Sequence, residues 1–577
     1  MTFKPVFALT LLITTVSPSF AATESATTVS TERAYAPQLG PNARDRYRDV
    51  FASIKAGDWA GAAAKLSAIP EGPLHNVARA ELYLAKGSPK VDGAALAALA
   101  EKAPDLPQAR ALVALAKARG IEALPALPSQ QDLNWLGSAP RRGKVARADD
   151  ALSSTMAARI LPLIKNNQPN EAEAIVESKE SELSSEGRTE WQERVAWSYY
   201  ITGDDAAARR LAAKAQAGVG DWAAQADWVQ GLAAWRQRDY ATASDAFAAC
   251  ARRASDSELI AAGHYWAARA DMAAGKPQAI AARLKSAARN PETFYGLLAL
   301  RQLGLKAVPV DPTSDGSAEK LPNVRAALAL AEIGERDLAD ELIRYQARIG
   351  DARGHAALAI LAGRMDLPAT QLFLAHNGPS GAKAPASARY PAPKSWTPTG
   401  GWRVDKALVF AHTLEESRFR TDVTSQAGAR GLMQVRPGTA ADIAHQRGTT
   451  VGSLANPAVN IEFGQSYIEQ IRDMSETGGF LPKVIAAYNA GPVPVGVWNG
   501  RTRDNDDPLL YIESIPYWET RAYVATVMRN YWMYEQQAGE PAKSLAALSQ
   551  GLWPRFPGLP GPTAVRLDRV SGVASAE

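Results

Sequence analysis

Glu416, followed directly by Ser417, precedes two further polar elements: Gly428-Ala429-Arg430-Gly431-Leu432-Met433-Gln434, then Ala487-Tyr488-Asn489-Ala490-Gly491-Pro492. Together they supply one candidate acid, two glycine-shaped turns and several polar groups within a segment of domain size. Val404, Ala407, Leu408, Ala411 and Leu414 fall on one helical stripe. That stripe places Glu416 near the C-terminal end of a helix with a buried face. There the helix dipole opposes a negative charge, and partial burial adds a desolvation cost. Both raise a carboxyl pKa, as a general acid working near neutral pH requires. Spacing alone leaves Glu415 and Glu416 equally eligible, and a glutamate after a helix is most often a solvated surface residue.

The loop after the acid has glycines three apart, which let the backbone turn tightly and approach a ligand. Leu432 and Met433 can pack inward while Gln434 presents an amide that both donates and accepts. Pro437-Gly438-Thr439-Ala440 then starts another helix. The Tyr488 element ends a helix at a glycine–proline stop. Its tyrosine either packs as core or places its hydroxyl beside the acid. A fourth element runs from Tyr511 to Val524 and is rich in aromatics. Flat rings of this kind suit a sugar cleft, though each ring alone is as readily core.

These four elements, in this order, resemble the catalytic domain of the soluble lytic transglycosylases, over about Tyr390 to Tyr534. The resemblance implies a goose-type lysozyme-like fold and a catalytic glutamate directly before serine, hence Glu416 and not Glu415. It implies substrate contacts from Ser425, Gln434, Tyr488 and Asn489, and from Glu519 and Tyr523 in the Glu-Thr-Arg-x-Tyr-Val stretch. Two departures stand out: Val493-Pro494-Val495-Gly496 where the family often has glycine and basic residues, and Arg436 where it often has an apolar one. They bear on the flanking subsites.

The expected activity is that of a lyase, a lytic exotransglycosylase of peptidoglycan, acting on glycan strands without a cofactor or metal. Ordinary glycosidases set two carboxylates about the scissile bond, and none pairs with Glu416 in a second motif. Glu416 would therefore serve as acid and then as base, leaving a 1,6-anhydro-muramic end. One rival is a hydrolysing muramidase, for which Glu513 and Glu519 are candidate second carboxylates. Another is a non-catalytic wall-binding scaffold.

The elements that must position this site belong to a chain of 577 residues, too long for one core. Its composition, 46% hydrophobic and 21% charged, is globular, and a net charge of +4 gives no electrostatic case for nucleic acid. Lys4, the apolar run Pro5 to Val16 and Ser19-Phe20-Ala21 read as a signal peptide over 1–21, too short to span a bilayer. Export to the periplasm as a soluble protein follows, with no integral membrane segment after its removal. Cys250 is the sole cysteine, so no intramolecular disulfide forms.

The fold class expected is mainly α: an α-superhelix of helical hairpins followed by a lysozyme-like domain. The divisions are a solenoid over 22–285, a helical linker domain over 286–376 and a Pro/Gly/Ala surface linker over 377–392. The lysozyme-like domain covers 393–538 and a C-terminal extension 539–577. A recurring signature marks the hairpins: Gly57-Asp58, Gly203-Asp204, Arg238-Asp239 and Arg336-Asp337, each followed within two residues by alanine. The aspartates read as helix caps, and such a solenoid can also recruit protein partners. Asn290 to Gly296 marks a break, with Pro291 near a helix start. His75, His264, His355, His376, His412 and His445 form no pair at metal-ligand spacing.

Overall fold

The computed structural model describes residues 35–306 and 316–567. The expected signal peptide lies outside them. Among the described residues there are 26 α-helices and only four strands, each two residues long. None of these helices is long and apolar enough to cross a membrane.

The capping signature works as expected at three of its four sites. Asp58, Asp204 and Asp239 accept the backbone N–H of Gly61 (2.9 Å), Ala207 (2.9 Å) and Thr242 (3.2 Å). At the fourth, Glu335 occupies the cap without a side-chain bond, and Asp337 lies inside the first turn of the helix Arg336–Ile349. There its charge acts on the helix dipole rather than on a single N–H.

Packing divides the chain differently from composition. One core joins the helices from Pro41–Ala56 through Ala109–Ala118 to those from Pro322–Ile333 through Pro368–His376. The ion pairs Arg44–Glu332 and Lys55–Glu335, both 2.7 Å, tie the two groups. The two ends of the helical region therefore meet, and 22–285 is not one packing unit. A second core runs from Met156 to Leu300 and continues from Tyr390 to Phe556. The hairpins over 151–302 thus share a core with the domain that carries Glu416.

The break at Asn290 to Gly296 is the joint between them. Thr293, not Pro291, opens the helix Phe294–Gln302 as its N-cap. Phe294 stacks on Trp532 with ring centroids 4.9 Å apart, and the Tyr295 hydroxyl donates to Glu513 Oε1 at 2.7 Å. Gly296 is needed here, because a Cβ would stand 1.9 Å from the Asn290 carbonyl oxygen.

Residues 377–392 are not a surface linker. Asn377 and Gly378 pair with Asn134 and Trp135, and Ala388 and Tyr390 are buried. The pairing supplies backbone partners that a buried loop would otherwise lack. The described part of the C-terminal extension also packs inward. Trp532 Nε1 donates to Ser544 Oγ (2.8 Å), and Trp553 and Phe556 are buried.

Candidate active site

The helix Lys406–Ser417 is capped by Asp405, whose carboxylate accepts the Ala407 N–H (2.9 Å). Of the expected stripe, Leu408 and Ala411 are buried in the domain core and Ala407 and Leu414 are half-buried, while Val409 and Phe410 are buried as well, so the helix is covered on more than one face. The helix ends at Arg418 in the left-handed conformation (φ 54°), and the chain then turns into the glycine loop. Glu415 and Glu416 sit on the last turn and diverge. Glu415 pairs with Arg141, from the segment linking the two helical groups. Glu416 faces a cleft of about 330 Å³, whose lining includes Ser425, Gln434, Arg436, Tyr488 and Asn489. Among the described residues, no other carboxylate lines that cleft.

Burial is the main reason the Glu416 carboxyl is pushed up to about 7, with the charges of Glu415 and Glu519 adding to it. One contact opposes the rise: the Tyr523 hydroxyl donates to Glu416 Oε1 at 2.5 Å. His412 Nδ1 lies 2.8 Å from the same tyrosine oxygen. A phenol has a single hydrogen, and here it is directed at Glu416. The imidazole must then donate from Nδ1, which leaves Nε2 bare. Nε2 is indeed buried without a partner, and burial drives the His412 pKa down to about 3. The result is a chain of donors, a neutral imidazole to a phenol to the acid. Oε2 is left for chemistry.

The glycine loop is fixed by few atoms. Gly428 and Gly431 take positive φ (78° and 69°), and a Cβ on Gly431 would stand 2.3 Å from the Leu454 carbonyl oxygen. Asn460 pins the loop from the helix Pro457–Arg472. Its Oδ1 accepts the Met433 N–H (2.8 Å), and its Nδ2 donates to the carbonyls of Arg430 (2.9 Å) and Leu454 (2.8 Å). Leu432 and Met433 are fully buried. Gln434, itself at φ 49°, donates from Nε2 to the Gly431 carbonyl (2.8 Å). Ser425 Oγ accepts the Ala429 N–H (3.0 Å).

Of the residues singled out in the sequence, Glu416, Ser425, Gln434, Tyr488 and Asn489 come together around the cleft. Tyr488 lines it with its hydroxyl engaged elsewhere, donating to the Met433 carbonyl (2.7 Å), and its ring centroid lies 4.5 Å from that of His412. Asn489 Oδ1 is taken by Thr520 Oγ1 (2.7 Å). Tyr523 lies behind the acid rather than along the cleft. Glu519 is exposed on the first turn of the helix Trp518–Gln537 and does not line the cleft. Glu513 is spent elsewhere, buried between Tyr295 and Arg142 Nη1 (2.7 Å each). Arg436 lines the cleft, and Val493 is exposed at the start of the helix Pro492–Arg501.

His412 and Asn460 are the positioning residues that sequence reading passed over. His412 stands four residues before Glu416, hence on the same helical face. That spacing was the signal available. Asn460 left none, since an asparagine inside a helix is unremarkable until its three bonds are seen.

The segment that carries this site is similar to segments of known proteins. Residues 397–510 match the family model of the transglycosylase SLT domain. The soluble lytic murein transglycosylase of Escherichia coli K12 is 32% identical over 157 residues, 26% of this chain and 24% of that protein. Its Salmonella typhimurium counterpart is 34% identical over 163 residues, 27% and 24% of the two chains. The matched stretch thus spans about a quarter of these relatives. Among solved structures, an inactive mutant of lytic transglycosylase Slt from Pseudomonas aeruginosa aligns with a TM-score of 0.50 at 21% identity, covering 86% of each chain. The 70-kDa soluble lytic transglycosylase of E. coli aligns with a TM-score of 0.50 at 17% identity, covering 89% of this chain and 99% of that one. The fold over that coverage is therefore an α-superhelix followed by a lysozyme-like domain.

Proposed function

We propose that this protein is a lytic transglycosylase of murein. It cleaves the β-1,4 bond between N-acetylmuramic acid and N-acetylglucosamine without water. The observation that carries the reading is one buried carboxyl, held near neutral pKa, in a cleft that no second carboxylate lines among the described residues. The SLT-domain match and the names of the relatives supply the substrate class.

Glu416 starts protonated on Oε2, because Oε1 is occupied by Tyr523. It gives that proton to the glycosidic oxygen as the bond to C1 breaks. The positive charge at C1 is stabilised by the sugar's own acetamido oxygen. Glu416, now a carboxylate, takes the proton of the muramic O6 hydroxyl as that oxygen closes on C1. The product is a 1,6-anhydro sugar, and the acid returns to its starting state. A raised pKa serves both halves, since the group must give up and regain a proton at similar cost. Ser425, Gln434 and Asn489 orient the sugar and its acetamide, with Tyr488 as a wall; such placement can account for several powers of ten in rate. Glu519 acts on the acid only through its charge, which helps hold the Glu416 pKa up. A helical region so closely joined to the catalytic domain suits long glycan strands, and it offers surface for protein partners in cell-wall turnover at the periplasm.

The muramidase alternative needs a second carboxylate, and the two sequence candidates are badly placed for it. Glu513 is buried in an ion pair and Glu519 is off the cleft. Glu416→Gln in the full chain should abolish release of soluble fragments from purified murein. Substantial residual release would refute the assignment.

A further inference from the structure

Among the described residues two charged side chains line the cleft, and the mechanism uses one of them, Glu416. The other is Arg436, which occupies the N-cap position of the helix Pro437–Arg447 and is exposed. Its guanidinium forms no ion pair or hydrogen bond among the described residues. Thr439 lines the cleft from the first turn of the same helix, three residues on and so on the same face. Tyr467 lines it from the helix Pro457–Arg472. Burial raises the Tyr467 hydroxyl above its ordinary range, and the nearby charge of Arg436 opposes the rise. Neither the Thr439 nor the Tyr467 hydroxyl has a hydrogen-bond partner among the described residues.

The other polar side chains of the cleft differ in this respect. Ser425, Gln434, Tyr488 and Asn489 each hold a hydrogen bond inside the protein. Arg436, Thr439 and Tyr467 hold none, and all three can donate. A guanidinium with two hydroxyls beside it, and no carboxylate bonded to any of them, suits an anion of the substrate.

We propose that Arg436, with Thr439 and Tyr467, binds the free lactyl carboxylate of a muramic residue, so that the protein prefers glycan strands stripped of their peptides. This rests on the transglycosylase reading, which puts a muramic ring in the cleft. On that ring the lactyl group is the one ionisable substituent, and it is charged only while its carboxyl is free. Where a peptide is attached the carboxyl is an amide, and Arg436 meets a neutral acceptor in place of an anion. The carboxylates of an attached peptide lie further out on a flexible chain, where the cost of ordering it offsets the contact. The charge also bears on the acid. A lactyl carboxylate in one cleft with Glu416 opposes its ionisation, as like charges do. Arg436 offsets that repulsion, so Glu416 can still become a carboxylate in the first half of the reaction. The reaction that supplies this substrate is then a hydrolysis of the lactyl amide. Water adds across the C–N bond, the peptide leaves as its amine, and the carboxylate stays on the sugar.

Isothermal titration calorimetry on the full chain carrying Glu416→Gln, which should bind without cleaving, tests this. The probes are three forms of a murein tetrasaccharide: the peptide-free acid, its lactyl methylamides, and the peptide-bearing form. The acid should bind at least about tenfold tighter than the methylamide, the difference between a charged and a neutral acceptor. The gap should narrow as salt is raised, because an exposed guanidinium is screened. Adding Arg436→Met should close the gap by weakening the acid, with methylamide affinity kept within about threefold as the sign of an intact cleft. Equal binding of acid and methylamide, or an unchanged gap with Arg436→Met, overturns the proposal. Tighter binding of the peptide-bearing form than of the acid overturns it too, by assigning Arg436 to a peptide carboxylate. Those results leave the transglycosylase reading standing, whereas failure to bind any of the three saccharides overturns both.

Discussion

Replacing Tyr523 by phenylalanine removes one atom from the site, the oxygen that donates to Glu416 Oε1 at 2.5 Å. That bond favours the carboxylate, and among the causes acting on Glu416 it pulls the pKa down against burial. A hydrogen bond to a charged group contributes about 1.5–3 kcal/mol. At 1.36 kcal/mol per pKa unit, its loss raises the Glu416 pKa by about one to two units. The acid must be protonated to begin the reaction, so wild-type activity should fall as pH rises through about 7. In Tyr523→Phe the same fall should occur about one to two units higher. The plateau below it should drop, because a weaker acid protonates the leaving oxygen less readily. The assay is the initial rate of fragment release from purified murein across the pH range, at substrate well below KM. If the alkaline limb stays where it is in the wild type, or moves down, the hydrogen-bond account of the Glu416 pKa is wrong.

Two other predictions follow from the same groups. Glu416 has a folded-state pKa above its ordinary value of 4.5, so ionisation costs the fold stability as pH rises from about 4.5 to 7 and the cost persists above that. Glu416→Gln should therefore be more stable than wild type at pH 8 by about 2–4 kcal/mol, with the gap closing toward pH 4; denaturant titrations at both pH values check this. His412→Leu removes the donor behind Tyr523 and should lower kcat by about three- to tenfold with little change in KM, the worth of one neutral hydrogen bond. A change confined to KM would mean that His412 shapes the cleft and does not hold the tyrosine.

What the sequence revealed, and what it hid, follows the range of the interactions. The stripe from Val404 to Leu414 was legible because a helix face depends on spacing alone, and the turns at Gly428 and Gly431 because positive φ selects glycine. The Asp58, Asp204 and Asp239 caps were legible for the same local reason. Choosing between Glu415 and Glu416 by physics was out of reach: the deciding partner of Glu415 is Arg141, 274 residues earlier. His412 looked idle because its bond to Tyr523 spans 111 residues. The grouping of the first helices with those after Pro322, and the burial of 377–392, depend likewise on contacts between distant segments. Pro- and Gly-rich composition signals a break in helix, and it does not say whether the irregular backbone finds partners inside.

The central claim is that one carboxyl, without water, both opens the bond and closes the ring. Mass spectrometry of the saccharides released from purified murein in heavy-oxygen water tests it most directly. The account predicts muramic ends one water lighter than the hydrolysis product and free of the heavy isotope. Reducing ends carrying the solvent's heavy oxygen would contradict it.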